Sequence, residues 1–257
     1  MTGSPQVPAA AGRPLVLGHR GASADAPENT LAAFGLALEQ GADGFELDVW
    51  RCGSGEVVVF HDVDARRVAG SALRIPRASL AELRRLDVGA WRGERFRGER
   101  IPLLSEVLAA FPAAVVNVEM KAARLGDPRL AVAVARVLRS QGAAGRVVVS
   151  SFDHLLLAAF RLAAPGVPLG LLFEGGPAWE ARAALAERLL RPAALHPQLG
   201  LVTPERARAW RARGRALHVW TVDDPADAER LCALGANAVI TNGPRLVREA
   251  VRRATGR

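Results

Sequence analysis

Cysteine, lysine and long apolar runs are scarce in this chain of 257 residues, and each shortage removes a class of function. The two cysteines, Cys52 and Cys232, lie far apart and fit no metal-ligand spacing, so we predict packed thiols and leave a disulfide between them as an open alternative. No run of about eighteen apolar residues occurs, which predicts that no helix spans a membrane. Because Lys121 is the single lysine, arginine supplies nearly all of the positive charge.

An excess of basic residues does not by itself make the chain a nucleic-acid binder. Lysine and arginine total 34 against 26 aspartate and glutamate, which gives a formal charge of +8. The arginines are spread through predicted helices instead of clustering with aromatic residues, as in Arg206, Arg208, Arg211 and Arg213. Solvated helix faces explain this pattern, and the surplus charge would attract anionic substrates mildly. We therefore predict no nucleic-acid partner.

The N-terminal segment, Met1 to Arg13, is rich in proline, glycine and alanine. It has neither a basic start nor a continuous apolar run, so it does not resemble a secretory signal. We expect a flexible tail over residues 1–13 ahead of one domain over residues 14–257, and a cytoplasmic protein.

The stretch Phe45-Glu46-Leu47-Asp48-Val49-Trp50 combines strand-forming residues with two acids. On a β-strand alternate side chains share a face, so Glu46 and Asp48 point the same way. Two adjacent carboxylates repel each other unless a metal ion, a proton or basic side chains compensate them. An exposed edge strand is the plainer alternative, but the flanking apolar residues leave no solvent-facing rhythm.

Strands followed by helices recur along the chain, and their number predicts the fold. Eight such strands begin near residues 14, 44, 114, 146, 167, 193, 216 and 237. A return strand at 56–60 starts a less regular insertion over about 51–103. Eight units in this length are typical of a (β/α)₈ TIM barrel, here an α/β fold with a small inserted subdomain after strand two. A doubly wound open sheet would need a glycine-rich phosphate turn after its first strand, and His19-Arg20-Gly21 is not one.

Polar residues collect where the predicted barrel strands end, which is where barrels carry their active sites. They are His19 and Arg20 after the first strand, Glu46 and Asp48 on the second, His61 after the return strand, Glu119 and Lys121 on the third, and Trp220 and Thr221 on the seventh. A hairpin between strand two and the return strand would carry His61 back toward the acids. Glu28 and Asn29 are interpreted instead as loop and capping residues, with Asn29 or Thr30 as the cap of the first helix.

The chemistry of these side chains suits a phosphate ester. Three carboxylates without a nearby cysteine favour a hard divalent ion, Mg²⁺ or Ca²⁺ first and Mn²⁺ as a further candidate. Arg20 and Lys121 remain to face an anion, and the two histidines can exchange protons near neutral pH. The residues therefore predict a phosphoester hydrolase or lyase.

Five motifs, in this order, resemble the glycerophosphodiester phosphodiesterase family: His19-Arg20-Gly21-Ala22, Pro27-Glu28-Asn29-Thr30, Phe45-Glu46-Leu47-Asp48-Val49, His61-Asp62 and Asn117-Val118-Glu119-Met120-Lys121. The similarity runs from Leu15 to about Pro244. It implies a TIM barrel that hydrolyses a small-molecule glycerophosphodiester to sn-glycerol 3-phosphate and an alcohol.

The resemblance also implies roles for single residues. Matching the family's metal ligands by position are Glu46, Asp48 and Glu119; matching its catalytic pair are His19 and His61; and matching its phosphate contacts are Arg20 and Lys121. In the family's usual reaction the glycerol 2-hydroxyl attacks phosphorus, and water then opens the cyclic phosphate. Both steps need one imidazole to accept a proton and another to donate one.

The chain departs from the family at two turns. Arg51 and the turn at 53–56 stand where members often have a threonine and an Asp-Gly turn, and Thr241-Asn242-Gly243-Pro244 replaces a frequent Thr-Asp-x-Pro. We interpret both as changes in turn chemistry that bear on substrate choice. Phe152, His196 and Trp220 are predicted to line the pocket for the glycerol or alcohol part, with plain core packing as the alternative.

Three hypotheses follow for the function. The first is a metal-dependent phosphodiesterase acting on glycerophosphodiesters. The second keeps the barrel but takes a lysophospholipid, as related phospholipase D-like enzymes do, and a large apolar surface at the rim would favour it. The third is a non-catalytic phosphodiester binder, which the two histidines and three acids disfavour. The sequence leaves both a monomer and a homodimer open.

Overall fold

A computed structural model describes residues 6–256, and for residues 177–180 it describes the backbone alone. The tail predicted over residues 1–13 therefore begins outside the described residues, at residues 1–5. At the other end of that segment, the Arg13 guanidinium donates to both carboxylate oxygens of Asp43, at 2.7 and 2.8 Å.

Strands and helices alternate along the described chain. In chain order they are β1 Leu15–His19, α1 Leu31–Glu39, β2 Gly44–Arg51, β3 Val57–Val59, α2 Arg66–Ala69, α3 Leu80–Leu83, α4 Leu104–Ala110, β4 Val115–Met120, α5 Pro128–Ser140, β5 Val147–Ser151, α6 His154–Ala163, β6 Leu169–Phe173, α7 Pro177–Leu190, β7 Ala194–Pro197, α8 Pro204–Ala212, β8 Ala216–Val219, α9 Pro225–Ala233, β9 Ala238–Thr241 and α10 Pro244–Thr255. The eight strands predicted to precede helices all form, each within two residues of its predicted start.

Eight parallel strands close into a barrel. Neighbouring strands run in the order β1-β9-β8-β7-β6-β5-β4-β2, and β1 also pairs with β2, which closes the ring. The (β/α)₈ TIM barrel is therefore confirmed. Such a barrel places the carboxyl ends of all eight strands at one rim, and with them the loops that follow.

The two faces of β2 are set by its alternating side chains. Leu47 and Val49 belong to the largest apolar cluster, which packs the strands against the helices. Phe45 joins it by stacking on Phe34 of α1, with ring centroids 4.3 Å apart. Because alternate residues point the opposite way, the acids of β2 are directed into the barrel.

β2 continues beyond the barrel into the predicted hairpin. Val49 pairs with Val59 of β3 in an antiparallel ladder, so the chain returns beside β2 before reaching His61. The segment that follows has a buried apolar cluster of its own, which includes Trp50, Ile75 and Ile101. The hairpin therefore rests on a separate small core that holds it against the barrel rim.

Several local expectations are also resolved. Thr30, and not Asn29, caps α1, because its hydroxyl oxygen accepts from the Ala33 amide at 3.2 Å. Both cysteines are free thiols, with Cys52 buried and Cys232 half-buried, so the disulfide alternative is not adopted. Among the described residues, no helix has the length and apolar character needed to cross a bilayer.

Candidate active site

Three carboxylates from two neighbouring strands meet inside the barrel. Glu46 and Asp48 lie on β2, Glu119 lies on β4, and Asp48 and Glu119 are direct partners in the parallel ladder. One oxygen from each of the three lies within 4.8 Å of the others, and all three side chains are buried. Adjacent parallel strands with inward acids thus make a three-carboxylate site without help from any loop.

Two cations share this buried charge. The Lys121 ammonium lies 3.2 Å from Asp48 Oδ1 and also contacts Glu119. Arg20 Nε lies 3.3 Å from Asp48 Oδ2, and its backbone amide donates to Glu46 Oε2 at 3.1 Å. Arg20 adopts a positive φ of 56°, an unusual conformation for a residue with a side chain, at the end of β1. That backbone turn aims both donors of Arg20 at the acids.

The three acids differ in protonation because their surroundings differ. Burial favours the neutral form of Asp48, but Lys121 and Arg20 outweigh it and lower the pKa of Asp48 to about 2. Burial, together with the negative charge of Asp48, raises the pKa of Glu46 well above its usual value. Burial also raises the pKa of Glu119 to about 7, although Lys121 opposes that change. Two cations are therefore too few to keep all three acids ionised at neutral pH.

The donor set fits a hard divalent ion. Glu46 Oε1 is buried and has no hydrogen-bond partner among the described residues. Carboxylate oxygens at this spacing, with no sulfur ligand beside them, are what Mg²⁺ and Ca²⁺ bind in proteins. A divalent ion would hold all three acids in their charged form, which the two cations do not do.

His19 stands at the end of β1 above these acids. Its Nε2 is 3.9 Å from Glu46 Oε2, and its Nδ1 is 2.8 Å from Asn242 Oδ1. The amide of Asn242 donates through Nδ2 to Asp223 at 2.7 Å, which fixes Oδ1 as the acceptor toward His19. Nδ1 therefore carries the hydrogen, and Nε2 is left with a free lone pair. Burial and the nearby Arg20 charge lower the pKa of His19, so the ring is neutral at pH 7.

His61 reaches the same site from the hairpin. Its backbone carbonyl accepts from Trp50 Nε1 at 3.1 Å, and its Nδ1 lies 2.6 Å from Asp62 Oδ1. Asp62 in turn accepts from Arg67 of α2 at 2.7 Å. A carboxylate on Nδ1 fixes the orientation of the imidazole and leaves Nε2 for a reactant.

A cavity of about 360 Å³ gathers most of the predicted site residues. Its lining includes His19, Arg20, Glu46, His61, Glu119, Lys121, Phe152 and Trp220, together with Asn117, Leu172, Glu174, Thr221 and Ile240. Asp48 is only 1% exposed and lies beneath them. Phe152 and Trp220 form an aromatic wall, with ring centroids 5.6 Å apart at 88°.

His196 is placed elsewhere. It is fully buried in the barrel and packs on His218, with ring centroids 4.7 Å apart, and it is absent from the cavity lining. Of the two alternatives for His196, core packing is what the structure shows. The reason is register: His196 points inward one layer below the rim, and its carbonyl accepts from Trp220 Nε1 at 2.8 Å.

Sequence reasoning missed two residues that hold the site together. Asn29, interpreted as a loop or capping residue, donates through Nδ2 to Asp48 Oδ2 at 2.9 Å and accepts from the Asp48 amide at 3.3 Å. Asn242, assigned to turn chemistry, is the hydrogen-bond partner of His19. Both bonds join residues of different elements, 19 and 223 positions apart, so no local pattern contained them.

Comparison with known proteins gives a consistent set of relatives. Residues 19–246 match the sequence model of the glycerophosphoryl diester phosphodiesterase family. A glycerophosphodiester phosphodiesterase of Caldanaerobacter subterraneus subsp. tengcongensis is 36% identical over 241 residues, covering 93% of this chain and 98% of that protein. A glycerophosphodiester phosphodiesterase of Bacillus subtilis is 29% identical, covering 91% of this chain and 85% of that protein.

Solved structures of phosphodiesterases are also similar to this chain. A phosphodiesterase of Oleispira antarctica, determined in complex with the product sn-glycerol-3-phosphate, matches with a TM-score of 0.84 and 30% identity, covering 93% of this chain and 97% of that one. The glycerophosphodiester phosphodiesterase of Thermotoga maritima matches with a TM-score of 0.74 and 30% identity, covering 92% and 97%.

Proposed function

Because the chain belongs to the glycerophosphoryl diester phosphodiesterase family, whose members are phosphoric diester hydrolases, we propose that it hydrolyses glycerophosphodiesters to sn-glycerol 3-phosphate and an alcohol. The observation that carries the proposal is the meeting of Glu46, Asp48 and Glu119 within 4.8 Å, beside a cavity that both His19 and His61 line. That cavity, of about 360 Å³, has the size of a small-molecule site.

Glu46, Asp48 and Glu119 would hold the divalent ion, with Mg²⁺ and Ca²⁺ as the first candidates and Mn²⁺ as the next. When bound, the ion supplies positive charge against a phosphate oxygen. Arg20 and Lys121 line the same cavity and would bind the remaining phosphate charge. Lys121 already contacts Asp48 and Glu119, so its ammonium is held where a phosphate must approach the acids.

The two histidines divide the proton transfers. His19 is neutral at pH 7 with Nε2 free, so it would accept the proton of the glycerol 2-hydroxyl as that oxygen attacks phosphorus. His61, oriented by Asp62, would donate a proton to the departing alcohol. In the second step the roles reverse: His61 takes a proton from water, and His19 returns one to the 2-oxygen as the cyclic phosphate opens. Phe152 and Trp220 would contact the glycerol or alcohol part.

The experiment that tests this proposal is hydrolysis of glycerophosphocholine or glycerophosphoethanolamine, with and without EDTA. We expect turnover that EDTA removes and that added Mg²⁺ or Ca²⁺ restores. Activity indifferent to chelation would eliminate the metal role. Glu46→Gln and Glu119→Gln should abolish turnover, and Glu205→Gln, which changes an exposed residue of α8 outside the cavity lining, should not.

The histidine roles need their own variants. His19→Ala and His61→Ala should abolish turnover while metal binding stays intact, because neither imidazole is among the three oxygen donors. His154→Ala, at the start of α6 and outside the cavity lining, is the control. Turnover retained in either active-site variant would overturn the acid-base assignment.

Hydrolysis of lysophospholipids on the same barrel is the second candidate function. Two exposed leucines at the rim, Leu125 and Leu155, favour it, because a rim that meets a lipid surface can take a substrate from it. A lysophosphatidylcholine assay that follows choline release would decide between the two substrates.

A further inference from the structure

A second cavity, of about 680 Å³, lies beside the active site and is lined by arginines from three segments. They are Arg51 at the end of β2, Arg74 and Arg77 in the insertion, Arg124 in the loop after β4, and Arg129 in the first turn of α5. We call this set the arginine rim. Two acids lie near it: Asp127, which caps α5 through the Arg129 amide at 3.0 Å, and Glu56, whose pKa Arg51 helps to lower.

The arginine rim gathers on one concave surface five arginines that have no ion-pair partner among the described residues. Within residues 6–256, as far as their side chains are described, no carboxylate lies within ion-pair distance of any of its five guanidinium groups. Other arginines do pair with acids, as Arg13 does with Asp43 and Arg213 with Glu187. Five cations around one concave surface, where the lining acid Asp127 caps α5, form a surface that attracts anions.

Two leucines project from the same surface. Leu125 is 73% exposed and lies in the cavity lining between Arg124 and Gly126. Leu155, 63% exposed, lies in the first turn of α6, and a Cβ added at Gly126 would be only 3.0 Å from its Cβ. The Gly126 amide donates to Asp153 at 2.6 Å, which ties the loop to the start of α6. Large exposed apolar side chains beside unpaired arginines are the composition of surfaces that lie at a lipid interface.

This surface is continuous with the mouth of the active site. The loop that carries Arg124 and Leu125 follows directly on Lys121, and Leu155 comes three residues after Phe152. Both Lys121 and Phe152 line the active-site cavity. A planar partner that contacts Arg124, Leu125 and Leu155 would therefore lie against the rim through which a substrate enters.

We propose that the arginine rim, with Leu125 and Leu155, docks the barrel on an anionic phospholipid surface. The guanidinium groups bind lipid phosphates, and the two leucines insert among the acyl chains at the interface. Docking itself requires no turnover. The inference rests on the proposed function only in that docking would supply the active site with a lipid-derived substrate. Docking would place the cavity where lysophospholipids are found.

The test is co-sedimentation of the full chain with vesicles. One set contains equal parts of phosphatidylglycerol and phosphatidylcholine, and the other contains phosphatidylcholine alone. We expect binding to the anionic vesicles that weakens as salt is raised, and much weaker binding to phosphatidylcholine. The double variant Arg124→Gln/Arg129→Gln should weaken binding roughly 5-fold for each arginine. Leu125→Gln/Leu155→Gln should weaken it roughly tenfold for each leucine.

Matched controls lie at the far ends of the same helices. Arg136→Gln/Arg139→Gln changes two exposed arginines near the end of α5, and Leu162→Gln changes a leucine that is 87% exposed near the end of α6. These variants should bind vesicles as the unaltered protein does. Equal losses in rim and control variants, or absence of binding by the unaltered chain, would overturn the proposal. Retention on duplex DNA that requires Arg124 and Arg129, without vesicle binding, would overturn it in favour of a nucleic acid.

Turnover of glycerophosphocholine in solution, measured on the same proteins, separates the two proposals. No rim residue lines the active-site cavity, so all rim variants should hydrolyse this soluble substrate at the unaltered rate. A chain that binds vesicles but hydrolyses nothing would refute the proposed function and leave the docking surface standing. A chain that hydrolyses the soluble substrate but does not bind anionic vesicles would refute the docking surface and leave the proposed function standing.

Discussion

At the scale of single residues, a divalent ion would change the protonation of two acids in the three-carboxylate site. Without the ion, burial raises the pKa of Glu119 to about 7 and that of Glu46 well above its usual value. Ligands must be deprotonated to bind a metal, so at neutral pH binding should release protons and should strengthen as pH rises.

Calorimetric titration with Mg²⁺ or Ca²⁺ checks this expectation. In buffers of different ionisation enthalpy at about pH 7, the apparent binding enthalpy should depend on the buffer in the sense of proton release, and less so at about pH 9. Glu119→Gln should remove part of that release. A binding enthalpy that is the same in all buffers would show that the acids are already ionised.

The hydrogen bond between Asn242 and His19 is one that the sequence did not predict. Asn242 lies 223 positions from His19, yet its Oδ1 is 2.8 Å from the imidazole. In Asn242→Asp a carboxylate replaces the amide, and an adjacent negative charge stabilises imidazolium and raises the pKa of His19. Since His19 must be neutral to accept a proton, the acid limb of kcat/KM should move to higher pH. A pH-rate profile checks this, and an unchanged acid limb would remove His19 from the role of base.

Alternation along β2 explains why the rest of the site could be predicted at this scale. A two-residue period places Glu46 and Asp48 on one face whatever the rest of the fold does. The same period places Glu119 of β4 and Lys121, directly after its end, on one face. Asn29 and Asn242 are different, because each bonds to a residue of another element. Asn29 precedes α1 and bonds to Asp48 of β2, whereas Asn242 follows β9 and bonds to His19 of β1.

Among the elements, α2 of the insertion is only four residues long, yet its Arg67 connects two parts of the candidate site. Its Arg67 donates to both oxygens of Glu28 at 2.7 Å and to Asp62 at 2.7 Å. Glu28 also accepts from Arg20 at 2.9 Å, and Asp62 contacts His61. One guanidinium thus links Arg20, through Glu28, to His61, through Asp62. Burial tends to raise the pKa of Glu28, but Arg67 and Arg20 keep it below its usual value.

We expect Arg67→Ala to lower kcat roughly 10- to 100-fold, the range found when residues that orient a site are removed. Arg67→Lys should rescue only part of the loss, because an ammonium cannot bridge both carboxylates as the guanidinium fork does. Arg66→Ala is the matched control: it is the preceding residue, and it pairs with Asp64 at the surface. Equal kcat values for the two alanine variants would deny α2 a positioning role.

Elements differ in how well their sequences predict them. The barrel strands are short apolar runs between helices with clear periodicity, so they begin within two residues of their predicted starts. In the insertion, α2 and α3 have four residues each, and a four-residue helix has too few residues to show a helical period in its sequence. The pairing of β1 with β2 that closes the ring is a contact between strands, which local sequence does not encode.

Across the whole molecule, the barrel differs from its surroundings in polarity. The layer between strands and helices is apolar, whereas the barrel interior also holds Asn117, Ser150, His196 and His218. Their side-chain polar atoms are buried, and none has a hydrogen-bond partner within the described part of the chain. A buried polar group without a partner disfavours its charged form most strongly. Both imidazoles are therefore neutral in the folded protein.

The two buried histidines make the stability of the fold depend on pH. Burial lowers the pKa of His218 to about 4, and burial with the neighbouring His218 ring lowers the pKa of His196 well below its usual value. In the unfolded chain each histidine titrates near ~6.5. Between those values the unfolded state binds protons that the folded state does not, so stability is complete above about pH 6.5 and falls as pH decreases toward 4.

The size of this effect follows from linkage. A fully differential histidine changes the unfolding free energy by about 1.4 kcal/mol per pH unit, so His218 accounts for roughly 3 kcal/mol across its window. Denaturant unfolding at a series of pH values from about 4 to 8 measures the slope. His218→Asn should reduce the slope by about one proton, whatever it does to stability at pH 8. His154→Asn, which replaces a half-buried histidine outside the barrel interior, should reduce it less. If the slope of His218→Asn matched that of the unaltered protein, the imidazole would have to be charged or solvated inside the fold, and the polar interior would need a different account.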